Sequence, residues 1–275
     1  MIAKLPGRVQ IQDNVVFGSG GGRDLLCDVF TPPDERQDRA AILLIHGGGW
    51  QNGDRTQLRG YGVQLARYGF VCVAPEYRLS GEAVWPAQIH DVKAALRWLR
   101  ANAASLGVDA DKITVSGNSA GAHLALMLAA TPNVPVFDGK GGSADVSSDC
   151  AAAVAIYPPT LLRIGAVGNA ITSLFGGKAS REAQDAASPI TYAHRNFPPT
   201  LLVHGNADDI VPVEASFSMY KSLADAGAPV ELHVYDGAPH AFDALPEFSR
   251  QLTDIMALFI DRKVANPRAV RLPGA

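Results

Sequence analysis

Cysteine is scarce in this sequence. The three present, Cys27, Cys72 and Cys150, form an odd set without metal-like spacing. A disulfide framework and a zinc cluster are therefore not expected. Cys27 and Cys72 sit inside apolar strand patterns and read as buried free thiols of a reducing compartment. Surplus charge is missing too. A net charge of −3 and a pI near 6.1 leave no basic footprint for nucleic acid or for an anionic membrane surface. The longest apolar run, residues 122–130, is interrupted by His123 and is far too short to span a bilayer. Residues 1–8 hold no apolar stretch, so no secretory signal is expected and the expected compartment is cytoplasmic. Internal repeats, low-complexity tracts and domain linkers are absent as well.

What the sequence has is apolar residue in quantity, 47% of 275 positions against 19% charged, enough for one sizeable core. Apolar runs of strand length alternate with segments of helical period. Two early strands, 8–17 and 25–30, are joined by a glycine-rich turn at 18–22. Further strands are expected at 41–45, 70–74, 111–116, 151–157, 199–204 and 230–235, the last alternating like an edge strand. Helices are expected at 56–68, 87–103, from 120 to 130, at 214–226 and at 244–262. The continuous apolar character of the middle strands means burial on both faces. The predicted fold is α/β, with a mostly parallel central sheet of about eight strands and helices on both sides. It reads as a single domain over 1–275, with an N-terminal strand region at 1–24 and a flexible tail at 264–275. Residues 131–149 read as a polar surface loop beside the site. Residues 160–190, with Leu161, Leu162, Ile164, Ile171, Leu174 and Phe175, form either a small lid or pocket wall, or a plain crossover helix.

Chemistry gathers at the carboxyl ends of the strands. The segment Thr114-Val115-Ser116-Gly117-Asn118-Ser119-Ala120-Gly121 reads as strand, sharp turn and helix start. It places Ser119 at the apex of a Gly-x-Ser-x-Gly turn, which pushes a hydroxyl above the sheet edge. The helix behind offers free N–H groups and positive dipole to a developing anion. After the buried strand 41–45 comes His46-Gly47-Gly48-Gly49-Trp50, whose glycines suit close backbone approach to a ligand. The N–H groups of Gly48 and Gly49 are candidate oxyanion donors, and His46 reads as a loop brace. Arg78 is expected to brace its loop through Glu76 or Asp54. His90 and Asp91 are expected to make helix-end and loop contacts. Strand 199–204 ends in a loop with Asp208 and Asp209, and strand 230–235 in a loop with His240. A serine hydroxyl needs a base within hydrogen-bond reach, and a neutral imidazole needs a carboxylate to fix its tautomer. The order Ser…Asp…His suits partners on the last two strands. His123, one helical turn beyond Ser119, reads as a packing residue, because both ride on one helix start. His233, inside a strand, is a weaker candidate than His240 for the base.

His46-Gly-Gly-Gly-Trp50, Gly117-Asn-Ser-Ala-Gly121, His204-Gly-x-x-Asp208-x-x-Val211-Pro212 and Gly237-Ala-Pro-His240-Ala-Phe242 resemble the α/β-hydrolase esterases. The nearest branch is the hormone-sensitive-lipase-like group, with its bacterial acetyl- and feruloyl-type esterases. The resemblance covers residues 25–262 and implies a catalytic Ser119, Asp208 and His240. It implies oxyanion donors at Gly48, Gly49 and Ala120, and it selects Asp208 over Asp209. Candidate substrate-pocket residues are Trp50, Tyr157 and Phe175. The family often has a larger N-terminal cap, and the 45 residues before His46 imply a small or absent one. Pro239 stands where a small residue is frequent, which implies a stiffer His240 loop. The implied activity is hydrolysis of short-acyl esters through an acyl-enzyme, with no metal and no cofactor. The implied partner is a small ester, with no nucleic acid and no membrane insertion, and a homodimer is compatible with this. An amide or formamide hydrolase, or a small peptidase, would use the same triad. A non-catalytic ligand-binding relative would have a broken one.

Overall fold

A computed structural model describes residues 3–163 and 168–270. Strands β1 (Gln10–Gly20) and β2 (Arg23–Thr31) form an antiparallel hairpin. The remaining strands are β3 (Arg39–Ile45), β4 (Val71–Pro75), β5 (Val108–Asn118), β6 (Ala152–Ile156), β7 (Thr200–Gly205) and β8 (Val230–Tyr235). They join one eight-stranded sheet in the order β1-β2-β4-β3-β5-β6-β7-β8. β2 runs antiparallel to β4, and from β4 to β8 every neighbouring pair is parallel.

The alternation of side chains along a strand divides the apolar residues between two cores. Leu43, Val73, Val115, Ala153 and Leu202 face one side. Helices α2 (Ala87–Ala101), α3 (Ala120–Ala130) and α6 (Glu214–Asp225) cover that side with Leu96, Leu124 and Met219. Ile42, Leu44, Cys72, Val154 and Val203 face the other. There α1 (Arg59–Ala66) and α7 (Pro246–Ile260) supply Leu65, Leu252 and Met256. Helix α3 is buried along its whole length, which explains why its sequence is apolar on all sides. Among the described residues, no helix is long and apolar enough to cross a membrane.

Residues 160–190 are not a single crossover helix. They contain α4 (Gly168–Leu174), α5 (Arg181–Ala186) and the start of a short 3-10 turn, Pro189–Tyr192. Positions 164–167, with the expected lid residue Ile164, lie outside the described residues. Residues 131–149, expected beside the site, do not line the cavity next to Ser119. They are strapped along α2, where Lys93 Nζ pairs with Asp138 at 2.7 Å and Arg97 donates to the carbonyls of Asp138 and Gly141 at 2.8 and 2.7 Å. At its C-terminal end α7 continues as a wide helical turn, Asp261–Ala265, with Val264 buried. Residues 264 and 265 of the expected tail are thus helical. Residues 271–275 of that tail, and residues 1 and 2 of the N-terminal strand region, lie outside the described residues.

Candidate active site

Ser119 sits between β5 and α3 with φ 52° and ψ −120°, a left-handed conformation that costs a non-glycine residue energy. Two glycines make the turn sterically feasible. A Cβ on Gly121 would lie 2.0 Å from the Ile45 carbonyl oxygen, and one on Gly117 would lie 2.4 Å from the Gly121 backbone. The Ser119 N–H donates to the Ile156 carbonyl at 2.9 Å, tying the turn to the end of β6.

The next two groups come from neighbouring strand ends. The Asp208 and His240 loops are clipped together: Asn206 Oδ1 accepts from the Gly237 N–H at 2.7 Å, and the Ala207 N–H donates to the Ala238 carbonyl at 3.2 Å. His240 Nδ1–H donates to Asp208 Oδ2 at 2.7 Å, and Ser119 Oγ lies 3.0 Å from His240 Nε2. Asp208 Oδ1 accepts from the N–H groups of Ile210 and Val211 at 2.9 and 2.8 Å. Burial alone would raise the Asp208 pKa. Hydrogen bonds from His204, His240 and the Val211 N–H outweigh it and hold the carboxyl well below the usual carboxylate range. Asp209 is exposed at the surface. His233 stays in β8, opposite Val203.

His204 is a neighbour whose contribution the sequence does not disclose. It is fully buried on β7, where it reads as one more inward strand residue. Its Nε2 faces the Val211 carbonyl at 2.8 Å and Asp208 Oδ2 at 3.3 Å, and its Nδ1 contacts Ser216 Oγ at 2.7 Å. Asp243 is the second such residue. Its buried carboxylate accepts hydrogen bonds from the hydroxyls of Tyr157 and Tyr61, the latter at 3.1 Å, with Asn118 Nδ2 at 3.5 Å. The spacing His240-x-x-Asp243 was the available signal, because a turn at Ala241, with φ 59°, returns the chain toward the site.

Ser119 and His240 open into a cavity of about 710 Å³. Gly48, Gly49 and Tyr157 line it, together with Leu58, Ile210 and Ala170. The Gly48 conformation is fixed: with φ 109°, a Cβ there would lie 2.1 Å from the Asn52 carbonyl oxygen. Ala120 is the first residue of α3, where a backbone N–H has no intrahelical acceptor. The Tyr157 ring packs 4.5 Å from the His240 ring.

Two expected pocket residues are elsewhere. Trp50 is buried behind the glycine loop, and its indole Nε1–H donates to His123 Nδ1 at 3.3 Å. Phe175, at the end of α4, packs against the core on the α3 side; α4 reaches the cavity through Asn169 and Ala170 instead. The ring nitrogens of His123 are taken by Trp50 and, at 2.7 Å from Nε2, by the Ala187 carbonyl. Burial lowers its pKa from 6.5 to about 4. His46 is also buried, with Nδ1–H donating to the Gly47 carbonyl at 2.8 Å and its ring stacked on Tyr77. Desolvation lowers its pKa, against the Gly47 carbonyl and nearby carboxylates. Arg78 does not pair with Glu76 or Asp54. It makes a two-pronged contact with Asp91, Nε–Oδ2 2.8 Å and Nη2–Oδ1 2.7 Å, because α2 starts directly beneath its loop. Glu76 is taken by Arg55 and Arg23, and Asp54 accepts from the Thr56 N–H.

The family model BD-FAE matches residues 27–223. Esterase LipQ of Mycobacterium tuberculosis is 36% identical over 87% of this chain and 60% of its own length. The chain spans about 60% of the length of LipQ and of two further mycobacterial relatives, LipC and LipM. Among solved structures, a butyrate-bound thermophilic esterase of Thermogutta terrifontis, Est2, superposes with a TM-score of 0.79. It is 27% identical over 95% of this chain and 96% of that one. A truncated carbohydrate esterase from gut microbiota superposes with a TM-score of 0.81, at 26% identity over 92% of this chain and 97% of that one. With its parallel sheet, its strained serine turn and its two flanking loops, the chain belongs to the BD-FAE family of α/β-hydrolase esterases.

Proposed function

We propose that the protein is a serine carboxylesterase that acts on short-acyl esters as one α/β-hydrolase domain. The observation that carries this reading is the unbroken hydrogen-bonded series from Ser119 Oγ to His240 Nε2 (3.0 Å) and from His240 Nδ1 to Asp208 Oδ2 (2.7 Å). Ser119 Oγ attacks the ester carbonyl carbon while His240 Nε2 takes its proton. Asp208 holds the tautomer in which Nδ1 carries hydrogen, and it stabilises the imidazolium. The carbonyl oxygen becomes an oxyanion within reach of the N–H groups of Gly48, Gly49 and Ala120; one such donor is worth about 10²–10³ in kcat. The intermediate collapses, the C–O bond to the alcohol breaks, and His240 returns its proton to the departing oxygen. Water then repeats the sequence on the acyl-enzyme, with His240 as its base, and releases the acid.

The short-acyl preference rests on the neighbouring α4 wall, with Asn169 and Ala170 in the cavity lining, and on the butyrate bound by the Thermogutta terrifontis esterase. A p-nitrophenyl ester series from acetate to palmitate tests it. The expected profile peaks at acetate to butyrate and vanishes in Ser119→Ala. Faster turnover of long chains contradicts the acyl preference, and faster turnover of a formanilide than of the matched ester moves the enzyme to amide chemistry.

A further inference from the structure

The cavity above Ser119 has an uneven charge lining. Among the described residues its lining includes no lysine and no arginine, and a single carboxylate, Asp243. Asp243 is 6% exposed, and among the described residues no cation forms an ion pair with it. Three neutral groups surround it instead: the hydroxyls of Tyr157 and Tyr61 and the amide of Asn118. Neutral donors stabilise an anion without cancelling its charge, so its field extends into the cavity. Both tyrosines have pKa values raised well above the ordinary range, by burial first and then by the Asp243 charge. They therefore remain hydroxyl donors and add no competing charge. The carboxylate also lies close to the reaction, since its partner Tyr157 packs on the His240 ring and its partner Asn118 immediately precedes Ser119.

We propose that Asp243 is a specificity-determining residue that makes the cavity discriminate by charge, excluding esters with a negatively charged acyl or alcohol portion and admitting neutral ones. The inference rests on the ester-hydrolase reading above. Its consequence reaches the product as well. Hydrolysis of a neutral ester creates a carboxylic acid that ionises in the cavity, and the Asp243 charge favours its departure.

Matched substrate pairs test the proposal. One pair carries charge on the acyl side, mono-p-nitrophenyl glutarate against its methyl ester. The other carries it on the alcohol side, 4-acetoxybenzoate against methyl 4-acetoxybenzoate. For each pair the readout is the ratio of kcat/KM for the anionic ester to that for the neutral one. The ratio cancels any common loss of folded or active enzyme. Asp243→Asn should raise the ratio about tenfold in at least one pair. In the wild type the same ratio should climb as salt is raised from low ionic strength toward 1 M, and the variant should lose most of that dependence. The wild-type salt series stands even if Asp243→Asn does not fold. Ratios that are unchanged in the variant, or flat with salt in the wild type, overturn the role of Asp243. Failure to hydrolyse either neutral ester, or hydrolysis that persists in Ser119→Ala, overturns the ester-hydrolase reading itself, and is told apart from the first failure by the neutral substrates alone.

Discussion

Two histidines stand near the start of α3, and their surroundings differ in every respect that matters to proton transfer. His240 has 14% side-chain exposure, faces a cavity and donates to a carboxylate that is itself held by two backbone N–H groups. His123 is fully buried, lies between an indole N–H and a carbonyl, and among the described residues has no carboxylate partner. A base must accept a proton and hold it as a cation for part of the cycle. The His240 environment supplies the anion that makes this affordable in free energy, whereas that of His123 penalises the cation. Proximity in sequence favours His123, four residues from Ser119. Proximity at the reacting atom belongs to His240, 121 residues away.

Exchanging the roles of these histidines is the strongest way to break the comparison. His240→Ala should lower kcat for p-nitrophenyl acetate by about 10⁶-fold, the scale seen when a triad base is removed. His123→Gln should retain most of the wild-type rate, since Gln can still meet a donor and an acceptor. Equal losses in the two variants would erase the distinction. The carboxylates sharpen it next. Asp208→Asn should cost about 10⁴-fold through the wrong His240 tautomer. The exposed Asp209→Asn should cost less than about twofold, and circular dichroism checks that both variants fold. The reverse ranking would move the acid to Asp209.

The smallest effect concerns stability. Burial lowers the His123 pKa from 6.5 to about 4 in the folded protein. Between those values the unfolded chain binds a proton at this position that the folded chain refuses. Folding stability therefore declines as pH falls from 6.5 to 4, by about 3 kcal/mol from this group. Asp208 adds a loss in the same direction at lower pH, because its folded pKa is depressed. Urea titrations at pH 7 and pH 4.5 should show a smaller pH-dependent loss in His123→Gln than in the wild type. An identical loss would mean that His123 accepts its proton without unfolding.

The same contrast marks how far the sequence could be read. The gathering of the Ser119, Asp208/Asp209 and His240 loops at one sheet edge was legible because each loop follows a strand, and strands in a parallel sheet bring such loops together; the choice of Asp208 over Asp209 came from the family resemblance alone. The sheet was legible for the same reason, through continuous apolar runs such as 41–45. The supports of the site were not. His204 points inward from β7, so its pattern is that of any buried strand residue, and its contact with Asp208 depends on how the following loop folds back. Asp243 meets Tyr61 and Asn118 across 182 and 125 positions, with no periodic signal linking them. Trp50 looked like a pocket aromatic because it follows three glycines. Its positive φ of 59° instead accompanies a side chain buried against His123. Arg78 has acids close in sequence, but its partner Asp91 comes from the helix that packs beneath it.

Ser119 Oγ is expected to be the nucleophile that carries the acyl group, and His240, not His123, to activate it. Brief reaction with a fluorophosphonate, followed by peptide mass spectrometry, tests this directly. One adduct is expected, on the peptide carrying Ser119, formed at the wild-type rate in His123→Gln and slowed by at least about 10³-fold in His240→Ala. An adduct on another residue, or labelling of Ser119 that depends on His123 and ignores His240, would contradict it.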